Sequence, residues 1–287
     1  MADIVFTSKS AWARRSLKAL ATYTLLALLA LVFVLPLIWM LSTSLKADQQ
    51  IFAMPPQWIP ETIMWGNYLR VLEVMPFWTY LFNSVLITGL TIVGTVLSGS
   101  LVAYAFACLD WPGRDKLFIL VLATMMLPMQ VTMIPLFVLF KDIGWLNTIK
   151  PLTVPAFFGG GAFTIFLLRQ FFMTLPKSLF DAARIDGCSE IRIWWSIVLP
   201  LARPAMASVA ILTFMFSWND FLGPLIYLSD RMQGTLALGL AMMVGQHQTD
   251  WALLMAASIL MMLPILLLFF FFQRYFIQGF TMSGIKE

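Results

Sequence analysis

Charged residues are scarce in this chain, and their scarcity excludes a soluble protein. Asp, Glu, Lys and Arg together make up 11% of the 287 residues, whereas a soluble globular domain contains about 25%. Hydrophobic residues account for 61% of the sequence. The composition therefore predicts a protein that crosses a membrane several times.

Histidine and cysteine are also scarce, which limits the chemistry that the chain can support. The single histidine, His247, excludes a multi-histidine metal site and leaves a histidine base without a partner cluster. Cys108 and Cys188 map to the cytoplasmic side, where thiols stay reduced, so we expect no disulfide. With no clustered catalytic constellation in the sequence, we expect no catalytic residue, no metal site and no cofactor bound by this chain.

The sequence also lacks the motif G-x-x-x-x-G-K-[ST], whose backbone cradles the phosphates of ATP in motor domains. If ATP drives a process in which this chain takes part, another polypeptide must bind it.

Long uncharged runs predict an all-α membrane protein with six transmembrane helices. A helix needs about 20 residues to cross the hydrocarbon core of a bilayer. Five runs between neighbouring charges approach or exceed this length, at 19–45, 74–109, 117–140, 151–168 and 251–273. A sixth run, at 204–229, is interrupted only by Asp220. The runs are continuous rather than alternating, which argues against transmembrane strands.

The positions of the basic residues predict the orientation, because Lys and Arg in short loops stay on the cytoplasmic side. Thirteen of the 18 Lys and Arg residues fall on the side of both termini and of the segment 174–203. These parts are therefore expected in the cytoplasm. The net charge of +4 follows from this topology and requires no nucleic acid partner.

Proline and glycine mark the expected irregularities. Gly159, Gly160 and Gly161 lie in the fourth run, where they allow close helix packing or a local break. The proline-rich segment 46–73 predicts an interfacial hairpin or a short helix. Kinks are expected at four prolines inside the runs: Pro36, Pro128, Pro135 and Pro264.

The most charged passage is "LFDAARIDGCSEIRIWWSIVLPLARPA" at 179–205, and its pattern predicts a helix–turn–helix at the cytoplasmic surface. Pro176 suits a helix start, and Gly187 permits a turn that a residue with a Cβ would resist. Pro200 and Pro204 should end or bend the second helix. Two apolar faces are expected, one formed by Leu179, Ala182, Ala183 and Ile185 and the other by Ile191, Trp194, Trp195 and Val198. From these residues alone, a loop resting on lipid headgroups and a docking element are equally compatible with the pattern.

The same passage resembles the signature of ATP-binding-cassette importer permeases, E-A-A-x3-G-x9-I-x-L-P. Asp181 stands in place of the signature glutamate, with the same charge and one methylene less. The other fixed positions match, at Ala182, Ala183, Gly187, Ile197, Leu199 and Pro200. Further blocks resemble the maltose-type, carbohydrate-uptake branch, including "NSVLITGL" at 83–90, "AYAFACLDWPGRDKLF" at 103–118 and "FSWNDF" at 216–221.

This resemblance implies that the passage is a coupling helix docked on an ATPase subunit. Asp181 would pair with a basic group of that subunit, Ala182 and Ala183 would allow close docking, and Gly187 would make the turn. Ile197, Leu199 and Pro200 would join the docked element to the fifth span. The family's C-terminal tail also contacts the ATPases, although the ending "GIKE" is a variant of it.

The resemblance also implies the partners and the location. The partners would be a second, non-identical permease, two ATPase subunits that bind ATP and Mg²⁺, an extracytoplasmic solute-binding protein and membrane lipids. The location would be a prokaryotic inner or plasma membrane. The chain then divides into a cytoplasmic N-terminal segment (1–18), the first transmembrane helix (19–45), an extracytoplasmic segment (46–73), a core permease domain (74–276) with a coupling loop (174–203), and a cytoplasmic tail (277–287).

The solute pathway is less well defined by the sequence. Asn83, Trp218, Asn219 and Asp220 could bind a sugar, or could instead brace the helix bundle. An oligosaccharide, a polyol and glycerol 3-phosphate all fit the resemblance. The alternative function is a secondary transporter or channel without an ATPase. Such a protein would usually show several charges inside the membrane, and Asp220 is the only acidic residue within a run.

Overall fold

The structure is a computed structural model that describes residues 7–245 and 249–284. The side chains of residues 7–15, 272 and 274–284 are not described. His247 and the last three residues of "GIKE" therefore lie outside the described residues. The predicted all-α class is confirmed, since the described ranges contain helices and turns but no strand.

Helices of very different lengths follow one another along the chain. The α-helices are α1 (Thr7–Ser44), α2 (Asp48–Ile51), α3 (Gly66–Val74), α4 (Phe77–Cys108), α5 (Arg114–Ala123), α6 (Met129–Asp142), α7 (Lys150–Thr153), α8 (Ala162–Phe172), α9 (Lys177–Ile185), α10 (Glu190–Ile193), α11 (Leu199–Leu201), α12 (Arg203–Trp218), α13 (Leu222–Tyr227), α14 (Leu236–Met242) and α15 (Trp251–Gly284). Short 3₁₀ helices lie at Thr124–Met126, Val154–Phe157 and Arg231–Gln233, and a π-helix lies at Trp194–Val198.

Within the described residues, four helical stretches are long and apolar enough to cross a membrane: Ser16–Ser44, Phe77–Cys108, Lys150–Phe172 and Trp251–Phe271. Two bent pairs qualify only together. Arg114–Met126 and Met129–Asp142 meet at 98°, and Glu190–Leu201 and Arg203–Trp218 meet at 82°. Six spans are reached only when each bent pair counts as one span, and the second pair includes Glu190–Leu201 from the loop predicted at 174–203.

Proline accounts for the first bend. Leu127 is extended, with φ −78° and ψ 116°, because the ring of Pro128 disfavours the helical conformation of the residue before it. Pro128 then precedes α6 without a backbone N–H to donate. The run predicted as one helix at 117–140 is thus divided at the proline.

The prediction of a single spanning helix at 204–229 is wrong. Helix α12 ends at Trp218, and α13 is a separate helix of six residues. Asp220 Oδ1 accepts a hydrogen bond from Gly223 N at 3.0 Å, so this carboxylate satisfies a free N–H at the start of α13. An aspartate favours such a helix start over a helix interior, which explains the break.

The chain divides into two compact units. The first comprises Met1–Val71 with Gln246–Leu260, and the second comprises Leu72–Gly245 with Met261–Glu287. In the first unit, Asn67 Nδ2 donates to the carbonyl oxygens of Ser44 at 2.9 Å and Lys46 at 3.0 Å. These bonds hold α3 against the end of α1. The predicted short helix of the segment 46–73 is present as α2 and α3.

Lys46 is an unusual residue of the first unit. Its side chain is fully buried, and its Nζ lies 4.0 Å from the centre of the Trp39 ring. The Nζ atom has no hydrogen-bond partner within the described residues. Burial favours the neutral amine, and it therefore lowers the pKa of Lys46 below its usual value of 10.5.

We expect Lys46→Met to stabilise the protein by about 1–3 kcal/mol, because it removes a buried donor without an acceptor. Between the folded-state pKa and 10.5 the unfolded chain binds more protons, so the wild type should gain stability as the pH rises through this window. The variant lacks this amine, so its stability should not rise with pH over this window. Thermal unfolding in detergent between neutral and alkaline pH measures both effects. Lys141→Met, at an exposed lysine, is the control; equal midpoints and pH profiles for the two variants would contradict the expectation.

In the second unit, α4 packs against α8 and α12, and the fourth run breaks at its glycines. Gly159, Gly160 and Gly161 have φ values of 91°, 64° and 90°, which L-residues rarely adopt. A Cβ on Gly160 would lie 2.8 Å from both Cγ2 and the carbonyl oxygen of Thr95 in α4. The break and the close packing that the sequence left as alternatives therefore both occur.

Gly160→Ala is expected to lower the unfolding temperature by more than Gly144→Ala does. Gly144 has a similar φ of 70°, but no atom lies within 4 Å of its added Cβ. Both variants carry the strain of a left-handed residue, about 1–3 kcal/mol. The larger fall in unfolding temperature for Gly160→Ala therefore measures the clash with Thr95. Equal losses in differential scanning fluorimetry would show that the contact is not tight.

Candidate functional site: the coupling loop

The first half of the loop is α9, which begins directly after Pro176 as predicted. Its inward face carries Phe180 and Ala183, which are buried in a core cluster with Tyr104, Leu168 and other apolar residues. Leu179 and Ile185 point away from this core, and Ile185 is 87% exposed. The four residues of the predicted apolar face therefore do not share one environment, because Ala183 is buried whereas Leu179, Ala182 and Ile185 are exposed.

The turn after α9 depends on Gly187. Its φ of 77° places it in the left-handed region, as the sequence predicted. Gly187 N donates to Arg184 O at 3.0 Å, and Cys188 N donates to Ala183 O at 2.9 Å. This pair of bonds is the Schellman motif, which satisfies the last free carbonyls of a helix.

The second half of the loop begins at Ser189, whose hydroxyl oxygen accepts a hydrogen bond from Arg192 N at 3.4 Å. Helix α10 continues through the π-helix into α11, and Ala202 separates it from α12 at the 82° bend. Trp194 and Val198 are buried, whereas Ile191 is 70% exposed and Trp195 is 59% exposed. The second predicted apolar face is therefore divided too. Two apolar residues pack inward, and two remain on the surface.

The structure brings the first four signature residues together at α9 and its terminal turn. Asp181, Ala182 and Gly187 are exposed, but Ala183 is buried in the chain's own core. Its small side chain therefore serves the packing of α9 and is not on the exposed face. The other three residues lie around α11: Ile197 and Leu199 pack against the same core cluster, and Pro200 is exposed.

An arginine outside the signature, to which the sequence alone assigns no role, organises the charges of the loop. Arg184 Nη1 donates to Asp181 Oδ1 at 3.1 Å, and Arg184 Nε donates to Glu190 Oε1 at 2.8 Å. The hydrogen bond to Glu190 is the main cause that raises the pKa of Arg184 above its usual value. The spacing of Asp181 and Arg184 by three residues on a helix signals one of these pairs in advance. No sequence signal relates Arg184 to Glu190 across the turn.

The four residues predicted for a solute pathway lie elsewhere in the second unit. Trp218 is buried, stacks on Phe214 and donates its indole N–H to Met261 O at 3.2 Å. Asn83 Nδ2 donates to the carbonyl oxygens of Met232 at 3.1 Å and Gly234 at 3.0 Å. These two side chains brace the bundle, the alternative that the sequence left open.

Asn219 and Asp220 follow α12 and are more accessible. Asn219 is exposed and donates to Met215 O at 2.8 Å, and Asp220 is half-buried at the start of α13. Both lie where the helix ends and the chain turns.

Residues 95–282 match a protein family described as "binding-protein-dependent transport system inner membrane component". The chain belongs to this family. The permease is therefore a membrane protein and a component of a binding-protein-dependent importer, which confirms the family resemblance predicted from the coupling signature. Membership in this family also implies ATPase subunits and a solute-binding protein.

Two relatives align with the permease over most of their length. It is 38% identical over 263 residues to the arabinooligosaccharides transport system permease protein AraQ of Halalkalibacterium halodurans, covering 91% of the permease and 94% of the relative. It is 34% identical over 244 residues to the sn-glycerol-3-phosphate transport system permease protein UgpE of Yersinia enterocolitica, covering 82% and 86%.

A solved structure has a similar fold. It is a bacterial ABC transporter involved in the import of the acidic polysaccharide alginate, with a TM-score of 0.79 and 24% sequence identity. The alignment covers 91% of the permease and 97% of that chain. The predicted importer-type transmembrane fold is therefore confirmed.

Proposed function

We propose that the permease is one membrane-spanning half of an ATP-driven importer for a sugar or a related solute, and that it hydrolyses no ATP itself. The observation that carries this proposal is the outward face of the coupling loop. Ile185 and Ile191 are 87% and 70% exposed, and Ile185 lies one turn after the accessible carboxylate of Asp181 on α9. Apolar side chains around a charge are typical of a surface that a protein partner covers.

The proposed partner at this face is an ATPase subunit. Asp181 would bind a basic group there, Ala182 would allow close approach, and the turn at Gly187 would hold α9 at the angle that docking requires. Ala183 contributes from behind, because it seats α9 on the core cluster. Ile197, Leu199 and Pro200 would link the docked element to α12.

The proposed complex contains a second, non-identical permease, two ATPase subunits and an extracytoplasmic solute-binding protein. ATP and Mg²⁺ would bind to the ATPase subunits alone. Both termini and the coupling loop would face the cytoplasm, since most Lys and Arg residues lie with them in the sequence. Helix α15 runs without a break from Trp251 to Gly284, so the last span and most of the tail form one helix.

Transport would follow alternating access. ATP binding closes the ATPase subunits, the coupling loops move with them, and the two permeases rotate as rigid bodies from inward-open to outward-open. The solute-binding protein then delivers its cargo to the outward-open state.

Asn219 and Asp220 are the proposed solute contacts, because both keep accessible surface where α12 ends. Trp218 and Asn83 would position this region through their hydrogen bonds to Met261, Met232 and Gly234. An oligosaccharide, a polyol or glycerol 3-phosphate would suit such a polar site. The solutes for which AraQ and UgpE are named support the first and the last of these.

Co-purification tests the importer function. The tagged permease is expressed with its genomic neighbours, and the purified complex is assayed for ATPase content and for solute-stimulated ATP hydrolysis. An importer retains its ATPase and stops uptake when cellular ATP is depleted. A secondary transporter or channel would carry no ATPase, and its uptake would survive the depletion. Thermal shifts of the solute-binding protein with arabinooligosaccharides, polyols and glycerol 3-phosphate would then identify the solute.

A further inference from the structure

Arg184 connects more elements than the charge pairs of the loop indicate. Besides Asp181 and Glu190, its Nη2 donates to the carbonyl oxygen of Cys108 at 3.2 Å. Cys108 is the last residue of α4, so this carbonyl has no partner within its own helix. A cation at a helix C-terminus also interacts favourably with the helix dipole. One guanidinium therefore joins α9, α10 and the end of α4.

Glu190 makes a second connection to α4. Its Oε1 binds Arg184, and its Oε2 accepts a hydrogen bond from the hydroxyl of Tyr104. Tyr104 lies one turn before Cys108 and is only 2% exposed. The last turn of α4 is therefore bound by Arg184 at a backbone oxygen and by Glu190 at a side chain. We call Arg184, Glu190 and Tyr104 the α4 clasp.

Apolar packing surrounds the clasp. The ring of Phe180 on α9 lies edge-on to the ring of Tyr104, with centroids 6.5 Å apart. Phe180, Tyr104 and Val198 belong to one core cluster. Close-packed interiors transmit displacement because they do not deform continuously. A push on α9 is therefore passed to α4, and α4 itself packs against α8 and α12.

An isolated surface ion pair would not support a mechanical role. The side chains of Arg184 and Glu190 are 36% and 41% exposed, and exposed pairs contribute little to stability. The clasp differs in that it includes a buried hydroxyl and a helix-terminal carbonyl, and that its arginine forks around one carboxylate. Such charge-assisted, forked contacts fix geometry as well as contributing energy.

We propose that the α4 clasp is the linkage that passes the movement of the docked coupling loop to α4, with Arg184, Glu190 and Tyr104 as positioning residues. This proposal rests on the coupling function above. Tyr104 is buried, and Arg184 and Glu190 bind the end of α4. The loss of the clasp should therefore leave the ATPase bound while separating ATP hydrolysis from transport.

Conservative variants test the linkage in the complete complex, reconstituted in liposomes with its solute-binding protein. Tyr104→Phe removes one hydroxyl and keeps the ring, and Arg184→Lys keeps the charge but loses the fork. Each should lower the number of solute molecules moved per ATP about tenfold, the cost of one charge-assisted hydrogen bond. The ATPase should still co-purify in full. Arg192→Lys, at an exposed arginine of the same loop, should keep the wild-type ratio.

The double variant separates a linkage from two independent effects. If Arg184 and Tyr104 act through Glu190 as one unit, the double variant Tyr104→Phe with Arg184→Lys should transport as many solute molecules per ATP as the less efficient of the two single variants. Three results would each overturn the linkage. The losses of the two single variants could add up in the double variant, both single variants could keep the wild-type transport ratio, or a variant complex could lose its ATPase. A wild-type complex without any ATPase would instead refute the importer function itself.

Discussion

Gly187→Pro is expected to abolish solute-stimulated ATP hydrolysis by the complex while leaving the chain in the membrane. Proline fixes φ near −65°, whereas Gly187 has a φ of 77°. Proline also removes the N–H that bonds to Arg184 O, so both the angle of the turn and one bond of the Schellman motif are lost. The cost is about 3 kcal/mol or more, and it falls on the segment that sets the angle between α9 and α10.

Two control variants make this result specific to the turn. Gly187→Asn should keep most of the coupled activity, since asparagine tolerates the left-handed region and no atom lies within 4 Å of an added Cβ. Gly144→Pro makes the same backbone change in another loop, where Gly144 has a φ of 70° and its N–H bonds to Lys141 O. It should keep coupling. Coupled hydrolysis at the wild-type rate in Gly187→Pro would exclude a role for the turn.

Asp181→Asn is the second variant with a large expected effect. It removes the accessible carboxylate that is proposed to meet a basic group of the ATPase subunit. Truncating one partner of a buried interfacial charge pair costs about 2 kcal/mol or more, so the affinity for the ATPase should fall roughly thirtyfold. Titration of detached ATPase subunits onto permease-containing liposomes measures this affinity.

The neighbouring aspartate supplies a matched control. Asp186→Asn makes the same change at an exposed position five residues further along, and its affinity should equal that of the wild type. Asp181→Glu restores the methylene that distinguishes this chain from the family signature, and it should bind at least as tightly as the wild type. Equal weakening by both Asn variants would mean that general charge, rather than the position of Asp181, attracts the ATPase.

The sequence predicts those features that depend on local chemistry. Uncharged runs located the four stretches that are long and apolar enough to cross a membrane, because a charge inside a bilayer is costly. Pro176 marked the start of α9, and Gly187 marked a turn that only a residue without a Cβ makes easily. The signature from Asp181 to Pro200, together with similar blocks elsewhere in the chain, was sufficient to predict the family.

The inward face of α9 could not be predicted in the same way. This helix has apolar residues on two sides, with Phe180 and Ala183 turned to the core and Leu179 and Ile185 turned outward. Periodicity shows that a helix has apolar faces, but it does not show which face its own chain covers. The contact between Arg184 and Cys108 was also hidden, because 76 residues separate the two in the sequence.

The end of α12 illustrates a different limit. The run at 204–229 is apolar almost throughout, so composition favours one long helix. A single hydrogen bond from Gly223 N to Asp220 Oδ1 favours a new helix start instead. Hydropathy averaged over a window does not register one side chain of this kind.

The outward apolar residues of the coupling loop have a consequence for the life of the subunit in the cell. A permease made in excess of its ATPase would leave Ile185 and Ile191 in contact with water, outside the shelter of the bilayer. Such orphan subunits would adhere to one another or be degraded by quality-control proteases. If the ATPase covers these residues as proposed, matched synthesis of the subunits would be needed to keep the surface of α9 and α10 covered.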